Sequence, residues 1–321
     1  MSAQEDTPER IRIGISSCLL GAEVRFDGGH KRDAYLTETL ARYFEFVPVC
    51  PEVAIGLGVP REPIRLVRGP QGIRAVGARD PSRDFTDRLE TYGRRMAAEL
   101  KGLCGYVFKR ASPSCGMERV RVYSPFGTPA GQSAGIYARA FMAVNPLLPC
   151  EEEGRLADAA LRENFIERVY VYRRWQDLLR GGLTPARLVA FHTEHKFQVL
   201  AHSQAAYRRL GRLVAEAGRR PMEALAREYA AELMGALKRR ATRRAHANVL
   251  QHLLGYVSER LDAQDRQELV GLIERYRLGI VPLIAPLTLL EHHLRRHRVP
   301  YLERQHYLNP YPEALGLRNV L

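Results

Sequence analysis

The sequence predicts an α/β fold, with an N-terminal Rossmann-like parallel-sheet domain over residues 1–158 and an all-α domain over 159–321. Three observations predict it. Up to about residue 150, short apolar runs alternate with stretches of helical periodicity, the pattern of strands and covering helices. Beyond that point helical spacing continues, and no strand pattern of comparable strength returns. The segment between them, "NPLLPCEEEG" (145–154), reads as a join. With 321 residues and 45% hydrophobic content, the chain can fill two cores.

The elements follow in order. "IRIGISS" (11–17) reads as a strand, "AYLTETLARYF" (34–44) as a helix, "FEFVPVC" (44–50) as a second strand and "PIRLVRG" (63–69) as a third. In "DPSRDFTDRLETYGRRMAAELKG" (80–102), Asp80 stands as N-cap and Pro81 at the first helical position. Phe85, Leu89, Tyr92, Met96 and Leu100 then recur at helical spacing. A buried strand, "GYVFK" (105–109), follows within the apolar run that starts at Leu103, and "SAGIYARAFMAVN" (133–145) reads as a helix. The second domain opens with a helix over 151–182 that Gly181–Gly182 stop. Thr184 and Pro185 start the next, and further helices are expected at 222–240, 243–260 and 262–278.

Composition excludes several classes. The opening "MSAQEDTPERIRIGI" is acidic and polar, unlike a signal or transit peptide. The longest apolar run, "LGIVPLIAPLTLL" (278–290), is short and broken by Pro282 and Pro286, so no membrane span is expected. Five cysteines, odd in number and unclustered, do not form a secreted disulfide framework, which places the chain in the cytoplasm with reduced thiols. The net charge is +13, from 49 Lys+Arg against 36 Asp+Glu. Charge by itself leaves two readings open: an Arg-rich surface, or a polyanionic partner such as nucleic acid.

Three cysteines carry chemistry by their placement. Cys18 follows the first strand, Cys50 ends the second, and Cys115 lies just beyond the strand at 105–109, in "SPSCG" (112–116). In an open parallel sheet, ligands bind at the carboxyl ends of strands. Each of these thiols sits in a turn-rich loop, whereas Cys104 lies inside an apolar run and Cys150 beside the join. Three converging thiols without C-x-x-C pairs do not suit a structural zinc site. An iron–sulfur cluster with one open iron and a thiol-nucleophile enzyme both remain compatible with the spacing.

"ISSCLLGAEVRFDGGHK", "PVCPEVAIGLGVPREPIRL" and "SPSCG" resemble the three signature segments of the thiouracil desulfidase family. "LRENFIERVYVYRRW" (161–175) is similar to the end of that family's module. "LTPARLVAFHTEHKFQVLAHSQAAYRRLG" and "HANVLQHLLGYVSERLDAQDRQELVGLIERYRLGIVPLIAPL" resemble the YbgA-like helical domain, and the combination is similar to bacterial tRNA 4-thiouridine desulfidases.

The resemblance implies a 4Fe-4S cluster on Cys18, Cys50 and Cys115, with Glu52 and Ser112 assisting the chemistry and tRNA containing 4-thiouridine as partner. Asp27 and Lys31 keep the charges of the first loop, where Phe26 replaces the Tyr of many relatives. Exchange of C=S for C=O needs a thiophilic Lewis acid and a water activated by a base, for which Glu52 is the candidate. Ser112 stands equally as a loop-capping hydroxyl. Lys238, Arg239, Arg240, Arg243 and Arg244 in "LKRRATRRAHAN" (237–248) are expected within about two helical turns, and are candidates for phosphate contacts. Two other readings compete: a desulfidase of free thiouracil or a thionucleoside, and a non-enzymatic cluster-containing protein that binds RNA or senses oxidants. "HTE" (192–194) matches half of a zinc deaminase signature, but the P-C-x-x-C half is missing. A second basic stretch with Arg295, Arg296, Arg298, Tyr301 and Tyr307 is a weak signal.

Overall fold

The computed structural model describes residues 10–319, so the expectation for the acidic opening falls largely outside it. The chain divides into two units between Ala157 and Asp158.

In the first unit, β1 (Ile11–Ser16) pairs in parallel with β2 (Phe44–Val49), and helical turns of π and 3-10 type over 35–42 connect them. That stretch is not the α-helix expected there. A short α1 (Pro51–Ala54) leads to β3 (Ile64–Gly69) and β4 (Gly72–Gly77), which form an antiparallel hairpin. Then come α2 (Thr86–Glu99), β5 (Leu103–Phe108), the pair β6 (Val120–Tyr123) and β7 (Pro129–Ser133), α3 (Ile136–Val144) and β8 (Cys150–Glu152).

Two sheets result. The first is wholly parallel, in the order β2-β1-β5-β8. The second is mixed, in the order β4-β3-β6-β7. The strand at 63–69 therefore belongs to a separate sheet and does not extend the parallel one.

Connection to β2 on one side of β1 and to β5 on the other creates a switch point at the sheet centre, where α/β folds place ligands. Close packing fixes this centre. A side chain at Gly14 would collide with the ring of Tyr106, which stacks on Phe108 at 4.1 Å and meets Phe141 of α3 at 4.9 Å.

Two expectations fail for physical reasons. Asp80 does not cap a helix: its carboxylate accepts from Ser82 N (3.1 Å) and Ser82 Oγ (2.6 Å), closing a local turn. The helix starts six residues later, after Asp84 accepts from Thr86 N at 2.8 Å. Residues 151 and 152, expected in a helix, instead form most of β8. Both glutamates are buried and engaged: Glu151 pairs with Arg155 at 2.6 Å, and Glu152 accepts from Met117 N at 2.8 Å.

The second unit is helical: α4 (Ala159–Arg180), α5 (Pro185–His202), α6 (Gln204–Ala215), α7 (Met222–Leu237), α8 (Arg243–Gly255), α9 (Ala263–Arg277), α10 (Ile284–His297) and the short α11 (Pro300–Glu303). Thr184 caps α5, accepting from Arg187 N at 3.3 Å, with Pro185 at its first turn as expected. Phe197, Leu250, Leu253, Ile273, Leu287 and Leu290 belong to its buried apolar core. Among the described residues, no helix is long and apolar enough to cross a membrane.

Candidate active site

A cavity of about 340 Å³ opens where β1, β2 and β5 end, and Cys18, Cys50 and Cys115 all line it. Each reaches it by a different local device. The 3-10 turn Ser17–Leu20 carries Cys18 out of β1, and Lys31 N returns to the Cys18 carbonyl at 2.9 Å, closing the loop between them. Cys50 is the N-cap of α1 in extended conformation, and Pro51 starts the helix that brings Glu52 round to the same side.

Cys115 sits in a loop tied on all sides. Ser112 Oγ accepts from Cys115 N (3.1 Å) and Ser114 N (3.3 Å). The carbonyls of Pro113 and Ser114 accept from Ile136 N (3.0 Å) and Ala138 N (3.1 Å), in the first turn of α3. Those amides would otherwise lack partners, so the helix terminus and the loop satisfy each other. Two glycines permit the fit. A Cβ on Gly116 would strike Val120 and lie 2.8 Å from the Ser112 carbonyl; one on Gly135 would lie 2.6 Å from the Ser114 carbonyl. Gly116 therefore serves close approach of backbone to backbone.

Electrostatics couple the three thiols. Burial pushes the Cys115 thiol far up, and the neighbouring Glu52 and Cys50 push it the same way. Cys18 is also raised, by burial and by Cys50, against an opposing pull from Lys109. Burial raises Cys50, with Glu52 adding to the effect and a hydrogen bond from Val53 N opposing it. Thiols in this state stay protonated until a cationic centre is brought to them. The donor set is soft sulfur, which suits thiolate-binding metals. Among the described residues, no three His, Cys, Asp or Glu side chains close on a single-ion position. All three thiols line this one cavity.

Glu52 is held at both oxygens. Arg61 Nη2 and Nε lie 2.7 and 2.9 Å from Oε2, with the guanidinium further anchored on the carbonyls of Gly58 and Val24, each at 2.9 Å. Ser114 Oγ donates to Oε1 at 2.6 Å and lies 3.0 Å from Ser112 Oγ. A chain of two hydroxyls and a carboxylate therefore runs along the cavity wall. Ser114 and Arg61 lie in "SPSCG" and "PVCPEVAIGLGVPREPIRL", but no local pattern marks either as a partner of Glu52. Ser114 is signalled only by its place beside Cys115.

The remaining candidates separate. Lys31 lines the cavity, but Asp27 does not: its exposed carboxylate accepts from Gly29 N at 3.1 Å and lies 3.5 Å from Arg25. Phe26, at the cavity mouth, is 38% exposed with Arg25 over its ring at 5.3 Å. Cys104 is buried within β5 and Cys150 begins β8; neither lines the cavity.

In the helical unit, the run Lys238, Arg239, Arg240, Arg243 and Arg244 does not occupy two turns of one helix. α7 ends at Leu237 and α8 begins at Arg243, because Thr242 caps it by accepting from Ala245 N at 3.2 Å. The histidine of "HTE" and the one just after it are packing groups: His192 Nδ1 lies 3.1 Å from Tyr229 Oη and His195 Nδ1 2.7 Å from the Phe191 carbonyl. Tyr307, from the second basic stretch, is buried against His246 at 2.9 Å.

Residues 13–153 match the family described as 2-thiouracil desulfurase, and residues 196–312 match a protein family of unknown function, DUF1722. The uncharacterized protein YbgA of Escherichia coli is 33% identical over 153 residues, spanning 47% of this chain and 90% of YbgA. The uncharacterized protein YbbK of Bacillus subtilis is 30% identical over 110 residues, 32% of this chain and 72% of YbbK. Among solved structures, the 4Fe-4S-dependent thiouracil desulfidase TudS is 28% identical, covering 48% of this chain and 97% of TudS, with a TM-score of 0.36.

Proposed function

The chain belongs to the 2-thiouracil desulfurase family in its first half and shares its second with YbgA, and from that premise we propose that it is an iron–sulfur desulfidase acting on 4-thiouridine in tRNA. The net reaction exchanges C=S for C=O: one water is consumed and one hydrogen sulfide leaves, with no electrons gained or lost. The observation that carries the reading is one cavity lined by three thiols, a carboxylate and a hydroxyl chain at the switch point of a parallel sheet.

Cys18, Cys50 and Cys115 line one cavity, and their soft sulfur donors suit a 4Fe-4S cluster. Bound there, the cluster supplies a thiophilic Lewis acid at the iron that no cysteine holds. The chain's own residues do the rest. Arg61 fixes the Glu52 carboxylate and keeps Oε1 turned to Ser114, 2.6 Å away. Glu52 takes the proton of the attacking water at Oε1, and Ser114 and Ser112 offer a route for it along hydroxyls 3.0 Å apart. Ser112 also holds the backbone of Cys115, so its role is both structural and positional. Lys31 and Phe26 stand at the cavity for an anionic and an aromatic part of the substrate, respectively. In the helical unit, Lys238, Arg239, Arg240, Arg243 and Arg244 would contact RNA phosphates.

The test is anaerobic incubation of iron-loaded protein with tRNA containing 4-thiouridine, following loss of thiocarbonyl absorbance and release of sulfide. Stoichiometric sulfide from tRNA is the expected result. Turnover of free thiouracil without turnover of tRNA would move the substrate to the free base. Turnover of neither would leave a cluster-binding protein without this activity.

A further inference from the structure

The helical unit contains a cavity of about 760 Å³ that takes no part in the desulfidase chemistry. Five guanidinium groups line it: Arg240, Arg243, Arg244, Arg277 and Arg318. They come from places far apart in the chain, namely the α7–α8 junction, the last turn of α9 and the 3-10 turn Leu317–Asn319. Only the first of these was visible as a charge run. Folding therefore adds two arginines to it and leaves Lys238 and Arg239 off the cavity wall.

The wall also holds two carboxylates, Asp158 and Glu163, and both are engaged. Asp158 caps α4, accepting from Ala160 N (2.9 Å) and Leu161 N (3.0 Å). Glu163 accepts from Tyr311 Oη at 2.7 Å and pairs with Arg318 at 3.2 Å. Arg318 is buried, and its Nη1 also donates to the Tyr307 carbonyl at 2.8 Å, so it is a fixed positive floor. Arg277 pairs with Glu274 on its own helix. Arg243 lies against Gly279, in the turn that ends α9, where a cation suits the helix terminus.

Arg240, Arg243 and Arg244 have no carboxylate within 4.0 Å among the described residues, and all three are exposed. On a convex face such arginines would spread into solvent. Here they stand around a hollow, where like charges repel and the field is focused inward. The thirteen-residue helix α8 also begins in this wall and adds the positive end of its dipole.

We infer that this cavity binds a terminal phosphate, either a phosphate monoester or an oligophosphate. A terminal phosphate offers three free oxygens and up to two charges to several planar guanidinium forks, whereas a backbone diester offers two oxygens and one charge. The proposal sharpens the RNA-phosphate assignment of Arg240, Arg243 and Arg244 and is independent of the desulfidase chemistry in the first unit. Its ligand chemistry has two sources: a free nucleotide, or the 5′-phosphate of an RNA.

The test is calorimetric titration of the full chain with inorganic pyrophosphate, with ATP, and with one short RNA carrying either a 5′-phosphate or a 5′-hydroxyl. Pyrophosphate should bind the wild type, and the exposed pair Arg240→Ala/Arg244→Ala should weaken it at least about tenfold. Arg227→Ala, an exposed α7 change off the wall, should leave binding as it is. Circular dichroism and iron content unchanged in the double variant would exclude misfolding as the cause. A 5′-phosphate RNA that binds about tenfold tighter than its hydroxyl twin, and is displaced by pyrophosphate, identifies an RNA end. ATP binding with no difference between the two RNAs identifies a free nucleotide. Absence of pyrophosphate binding to the wild type, or unaltered binding to the double variant, overturns the site.

Discussion

Glu52 and Glu167 are both carboxylates held by a cation, and the two units use them in opposite ways. Glu52, beside Arg61, faces a cavity with a hydroxyl on its free oxygen. Glu167 is enclosed within the helical unit, with His202 Nε2 at 3.0 Å and Gln198 Nε2 at 2.9 Å. Burial alone would raise Glu167, but the charge and hydrogen bond of His202 outweigh it and hold the carboxyl at about 2. Burial would likewise lower His202, and Glu167 outweighs it, so the imidazole is raised. Glu167 is thus strongly shifted while enclosed in the core of the helical unit. A shifted pKa marks a constrained charge, and only access to a cavity makes it a catalytic candidate.

The largest effects are expected at the thiols. Alanine at Cys18, Cys50 or Cys115 should abolish bound iron and turnover, while Cys104→Ala and Cys150→Ala should retain both, read by iron and sulfide analysis. Next is Glu52→Gln, which should keep the iron and lower kcat by roughly 10²-fold or more, the scale of a lost general base. Bound iron lost along with the rate would instead assign Glu52 to cluster binding.

Glu167→Gln should leave the iron of the first unit in place and cost the helical unit about 3 kcal/mol, because it strands a buried imidazolium. Urea denaturation followed at Trp175, in the core of that unit, measures it. The pH dependence has a definite sign. Glu167 is depressed on folding, so its stabilisation is present above the ordinary carboxyl range and is lost as pH falls through about 2. His202 is raised, so the same pair's contribution is complete below the ordinary imidazole value and fades as pH rises through the elevated one. Glu167→Gln should remove both slopes, which a thermal melt series would show.

Ser114→Ala should cost roughly tenfold in kcat with KM little changed, a smaller loss than Glu52→Gln because the carboxylate remains. The smallest effect is at a cap. Thr184→Ala should destabilise the helical unit by about 1 kcal/mol, and Asp80→Ala should not shorten α2, since Asp80 closes a turn ahead of it.

That last pair shows where local reading holds and where it fails. Thr184-Pro185 and Asp80-Pro81 look alike, yet only the first starts a helix. Asp84 bridges to Val76 of β4, which draws the chain into an extended path before α2 can begin. The second sheet is hidden from local patterns for a related reason. β7 is "PAGQS", with no apolar run, and owes its pairing to β6. β8 begins with a cysteine and two glutamates that read as a helix start, and their burial is tolerable only because Arg155 and Met117 N receive them.

The sequence determined the parallel strands β1, β2 and β5, the helical second half and the three cysteines placed just after strand ends. Each of these rests on local periodicity, turn chemistry or motif, which neighbouring residues carry. Tertiary structure decided the rest. It turned Ser114 and Arg61 onto Glu52, excluded Asp27 from the cavity and gathered Arg277 and Arg318 to the arginines of the α7–α8 junction. Those placements depend on contacts between residues distant in the chain, which no local pattern encodes. In "SPSCG" both kinds of information meet: the motif announces a thiol, and α3 fixes where it points.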